Sequence, residues 1–79
     1  MALERIVAEN LRTVRRSQKL SQKVVARKAG VSLSYVSMLE RGLRTPPLDT
    51  LEALAKALGV SPLYLLQELV PGRKGRSRR

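Results

Sequence analysis

Apolar side chains recur three and four positions apart through most of this chain, the spacing of helices rather than the alternation of strands. Leu3, Val7, Leu11 and Val14 form the first such stripe and predict a helix to about Ser17. The chain then turns through Gln18, Lys19 and Leu20. Ser21 is placed to cap a second helix, Gln22 to Ala29, which carries Val25, Ala26 and Ala29 inward. Gly30 suits the left-handed residue that ends a helix. Two residues later Ser32 caps a third helix running to about Arg41, with Val36 and Leu39 inward, and Gly42 supplies the next stop. Leu43 to Pro47 form a loop whose prolines break one helix and preset the start of the next. Leu51, Leu54, Ala55 and Leu58 mark a fourth helix from about Leu48 to Leu58, ended by Gly59. Ser61-Pro62 opens a fifth helix through about Val70, with Tyr64, Leu65 and Leu69 facing the core. The expected fold is therefore all-α: five helices in one domain over residues 1–71, followed by a tail at 72–79.

Charge changes the picture most. The 79 residues carry 16 Lys and Arg against six Asp and Glu, a formal net charge of +10. Such an imbalance calls for an anionic partner, nucleic acid before membrane surface. The tail adds five cations and no apolar side chain from Arg73 to Arg79, which predicts a disordered segment that raises nonspecific affinity for DNA. With neither His nor Cys, the commonest general base and the thiol nucleophile are both missing. The carboxylates show no catalytic or metal-ligating spacing, so no enzyme, cofactor or metal is expected. No apolar run approaches a membrane span and the start of the chain has no signal-peptide character, so the expected setting is the cytoplasm, at the nucleoid.

The second and third predicted helices, joined by a short turn bearing Gly30, meet the demands of a helix-turn-helix. Ala26 is small enough for the close approach of two steeply crossed helices, and Val25, Ala29, Val31, Val36 and Leu39 bury at the required offsets. The residues Leu20-Ser21-Gln22 through Ala26, Gly30-Val31-Ser32, Tyr35-Val36-Ser37, Leu39-Glu40-Arg41-Gly42 and Leu54 through Ser61 resemble the lambda-repressor-like (Cro/C1, XRE) family. The resemblance covers nearly everything but the tail. In length the chain is similar to restriction-modification controller proteins and some phage repressor domains. It implies a transcriptional regulator that reads double-stranded DNA with its third helix in the major groove.

Winding the third helix at about 100° per residue leaves Ser34, Ser37, Met38 and Arg41 opposite Val36 and Leu39. Base-facing candidates are therefore Ser32, Leu33, Ser34, Tyr35, Ser37 and Met38. Leu33 stands where many family members place a long polar side chain, so it either packs on a thymine methyl or stays as a half-buried staple. Tyr35 lies at the edge of this face, open to contact or to packing. Gln22 and Lys23 begin the second helix, where backbone N–H groups and the helix dipole favour phosphate. Arg41 and, as the resemblance implies, Arg44 and Thr45 are phosphate contacts, with the minor groove an alternative for Arg44. The resemblance also pairs Arg15 with Glu40 in a largely buried structural ion pair. Glu40 lies only about 40° from Val36 around the third helix, on the flank of its buried face.

In the predicted fifth helix Leu63, Leu66 and Val70 form a second apolar stripe beyond the one the core needs. An unburied stripe on so small a domain marks a partner surface. A homodimer would bury it and set two third helices one DNA turn apart. An antitoxin that uses the stripe to hold a toxin is the alternative. Single-stranded RNA is disfavoured, since stacking platforms need aromatics and only two Tyr are present.

Overall fold

The computed structural model describes residues 2–68. Four α-helices follow one another: α1 (Leu3–Ser17), α2 (Gln22–Ala29), α3 (Leu33–Glu40) and α4 (Leu48–Leu58). A 3₁₀ turn, Pro62–Leu66, takes the place of the expected fifth α-helix, so the described residues hold four α-helices rather than five. The expectations for Leu69, Val70 and the 72–79 tail fall outside the described residues.

The caps act as the side-chain chemistry dictates. Ser21 Oγ accepts the Val24 N–H at 3.1 Å and Ser32 Oγ accepts the Tyr35 N–H at 3.0 Å, each satisfying one of the orphan donors of a helix start. At the other ends, all four α-helices close alike. A left-handed residue follows the helix, and the next N–H reaches back five residues to a carbonyl of the last turn, as in Leu20 to Arg15 and Val31 to Ala26. Gly30, Gly42 and Gly59 fill the left-handed position at φ of 75°, 73° and 71°. After α1 that position is Lys19, at φ 58°.

α2 packs on α3 and α4, and α1 packs on α3 and on the 3₁₀ turn. The core between them comprises Val7, Leu11, Val14, Val25, Leu39, Leu51, Leu54, Ala55, Leu58 and Leu65, with Leu20, Ala29, Tyr35, Val60 and Leu66 against its edge. Leu3, expected to begin the α1 stripe, is exposed; Ile6 and Ala8 are buried instead.

The 3₁₀ turn differs from expectation for an identifiable reason. Asn10, buried on the apolar face of α1, donates from Nδ2 to the carbonyls of Leu65 (2.8 Å) and Gln67 (2.6 Å), with Tyr64 at the 3.5 Å limit. A side chain from another helix thus occupies the Leu65 carbonyl that a continuing α-helix would fill, and Gln67 is already extended (φ −85°, ψ 145°). With three residues per turn, Leu65 points into the core while Leu63 and Leu66 share a neighbouring row. Tyr64, expected inside, is 41% exposed, whereas Leu66 packs partly on the core.

Candidate nucleic-acid interface

α3 is only eight residues long, and its two sides differ sharply. Val36, Leu39 and Glu40 are buried. Ser32 and Ser34 are exposed, Leu33 is 48% exposed, and Ser37 and Met38 are half-buried. Leu33 therefore offers its side chain to solvent rather than to the interior. Tyr35 is half-buried against the core edge, so packing accounts for much of its ring. Ser32 spends its oxygen as the α3 cap, which leaves its O–H free to donate.

At the start of α2, Lys23 is exposed and Gln22 is half-buried. Gln22 Nε2 donates to Glu40 Oε1 at 3.0 Å, a bond the sequence did not suggest. An amide nitrogen carries two hydrogens, so one donor and the carbonyl oxygen remain for another partner. In the loop after α3, Arg44 and Thr45 are exposed while Pro46 is buried, fixing the loop to the body.

Charge is divided unevenly along the chain. Between residues 10 and 48 the sole carboxylate is Glu40, which is buried. The same stretch exposes Arg16, Lys19, Lys23, Arg27, Lys28, Arg41 and Arg44. The remaining acids, Glu4, Glu9, Asp49, Glu52 and Glu68, lie in the flanking segments. The α2–α3 region and its loops thus present cations undiluted by acids, as a polyanion requires.

Glu40, only 4% exposed, holds the helix-turn-helix to α1. Arg15 approaches it with a two-pronged bond, Nε to Oε2 at 2.6 Å and Nη2 to Oε1 at 3.0 Å, and its third nitrogen, Nη1, donates to the Leu20 carbonyl at 2.8 Å. Hydrogen bonding to Glu40 raises the Arg15 pKa, its charge adds to the rise, and burial opposes it. Arg12, a residue to which the sequence assigned no role, donates from Nη1 to the Glu40 backbone carbonyl at 2.8 Å. The signal available was its place three residues before Arg15, on the same side of α1.

A separate apolar surface lies across α4 and the 3₁₀ turn. A groove of about 340 Å³ is lined by Leu48, Leu51, Pro62, Leu63 and Leu66 together with Asp49 and Glu52. Leu48 is 81% exposed and Leu63 is 68% exposed. Among the described residues no three His, Cys, Asp or Glu side chains gather as a metal site, and no helix is long and apolar enough to cross a membrane.

An all-helical body that presents a short helix behind a tight turn, with the preceding helix start and the following loop beside it, is the architecture of a DNA-binding helix-turn-helix domain. The helix-turn-helix family pattern matches residues 11–65, and the chain belongs to that family, of the XRE/Cro-C1 type. The family is one of DNA-binding transcriptional regulators and not of enzymes. The chain is 42% identical over 66 residues to the uncharacterized HTH-type transcriptional regulator y4dJ of Sinorhizobium fredii, covering 84% of this chain and 86% of that one. It is similar to the crystal structure of the restriction-modification controller protein C.AhdI from Aeromonas hydrophila, with a TM-score of 0.78, 35% identity, and 82% and 98% of the two chains covered. The P22 c2 repressor, crystallised in complex with a synthetic operator, gives a TM-score of 0.74 at 37% identity, covering 78% of this chain and 94% of that one. These likenesses lend no support to the antitoxin reading.

Proposed function

We propose that this chain is a sequence-specific transcriptional regulator that binds a two-fold operator as a homodimer and reads the major groove with α3. The observation that carries the reading is the two-sidedness of α3: Val36, Leu39 and Glu40 are held inside while Leu33 and Ser34 face outward, in a stretch whose exposed charges are all positive. On this reading Ser32, Leu33, Ser34, Ser37 and Met38 meet base edges. The serines donate to or accept from several bases, and Leu33 favours a thymine methyl. Tyr35 contributes what its partial burial leaves exposed. Lys23, Arg41, Arg44 and Thr45 contact phosphates, and Gln22 does so through the amide hydrogen that Glu40 leaves free. Binding would take place on the nucleoid, in the cytoplasm.

The dimer rests on the groove around Leu48, Leu63 and Leu66, to which Val70 would add from outside the described residues. Two copies joined there would hold their α3 helices roughly 34–36 Å apart, one turn of DNA. Selection of bound duplexes from a random library tests both parts. An inverted repeat with half-sites one turn apart supports the reading, whereas enrichment of no sequence, or equal binding to single strands, contradicts it.

A further inference from the structure

Resting on that reading, we infer that Arg12 is a positioning residue for DNA recognition. It ties the last main-chain carbonyl of α3 to α1 and thereby sets the angle at which α3 enters the groove. The carbonyls of a helix's last turn have no partner within the helix. In α3 the Ser37 carbonyl accepts from the Arg41 N–H, the Met38 carbonyl from Leu43, and the Leu39 carbonyl from Gly42. The Glu40 carbonyl accepts from Arg12 Nη1 at 2.8 Å. Its side chain is gripped at the same time by Arg15 and by Gln22. One residue at the end of the reading helix is thus fastened through its main chain and its carboxylate. Arg12 and Arg15, three apart on α1, supply three of these four bonds.

The division of labour between the two arginines follows. Arg15 neutralises a buried charge, and without it Glu40 would be left unpaired in the interior. Arg12 is half-exposed and bonds to a neutral carbonyl, so its removal leaves a helix end that water can solvate. The fold tolerates that; the orientation of α3 does not. Val36 and Leu39 keep α3 packed on the core, but a two-turn helix whose last residue is held only through its side chain can still tilt. A small displacement at Ser34 misaligns hydrogen bonds to bases while phosphate contacts from flexible arginines and lysines adapt. The cation also sits at the negative end of the α3 dipole, which favours its position.

The test uses the full chain and a duplex selected by the wild type, with a scrambled duplex of equal length as reference. Arg12→Met is expected to weaken binding to the selected duplex about tenfold or more. Binding to the scrambled duplex, and the dependence on salt, should stay as in the wild type. Arg12→Lys, which can still donate to the Glu40 carbonyl, is expected to recover most of the lost discrimination. Equal weakening on both duplexes, with the salt slope reduced by about one phosphate contact, would show that Arg12 binds the backbone directly and would overturn the inference. So would unchanged discrimination in Arg12→Met. A wild-type chain that enriches no duplex fails at an earlier step, and takes the regulator reading with it.

Discussion

Glu40 carries its carboxylate almost wholly out of water, and three donors around that group decide whether the fold tolerates it. Removing the carboxylate strands the Arg15 guanidinium in the same place. Glu40→Ala should therefore cost about 3–5 kcal/mol, measured by urea denaturation, and a variant as stable as wild type would rule out the structural role assigned to the pair. Because the Arg15 pKa is raised, its contribution is complete below the ordinary arginine range and is lost only as pH climbs through the still higher folded value. Arg15 should thus add no pH dependence to stability around neutrality. Lys19 makes a second prediction at this scale. A lysine in the left-handed region costs about 1–2 kcal/mol, of which glycine would recover a part after its own loss of chain entropy. Lys19→Gly should stabilise the domain by roughly 0.5–1 kcal/mol. A lower melting temperature in that variant would contradict it. The strain was invisible in the sequence, because Gln18, Lys19 and Leu20 contain none of the residues that announce a left-handed turn.

At the scale of elements, periodicity and caps made α1 to α4 legible to within a residue. Serines begin α2 and α3, glycines follow α2, α3 and α4, and each apolar stripe is long enough to declare its period. The segment after Ser61 misled, because Pro62 through Val70 reads locally as a helix while the Leu65 and Gln67 carbonyls within it are claimed by Asn10, some 55 residues away in sequence. No local pattern reports such a partner. The one hint was a polar residue set among Val7, Leu11 and Val14. Asn10→Leu fills similar space and leaves the Leu65 and Gln67 carbonyls without that donor, at about 1–3 kcal/mol. Amide exchange should show the loss concentrated in the 3₁₀ turn. If the turn were as protected as before, the assignment of Asn10 as its clamp would be wrong. The buried side of α3, Val36 and Leu39, was legible from the helical angle alone. The bonds of Arg12 and Gln22 to Glu40 were not, since spacing along α1 puts Arg12 beside Arg15 but does not report which group on another helix it reaches.

For the whole molecule, a basic central stretch and an apolar groove across α4 and the 3₁₀ turn imply two separable activities. Leu63→Glu adds a carboxylate to a groove that already contains Asp49 and Glu52, and should convert a dimer to monomer in sedimentation without melting the core. A monomeric wild type at tens of micromolar would remove the groove from the account. Arg44→Ala should weaken all duplexes alike and lower the salt slope by about one, because a phosphate contact carries no sequence information.

The central claim, that the outward side of α3 reads bases, is tested most directly by repeating duplex selection with Ser34→Arg beside the wild type. A bidentate arginine at the tip of the reading helix should change the preferred base at one or two symmetric positions, towards guanine, and leave the rest of the site intact. Recovery of an identical site by both proteins would contradict the claim.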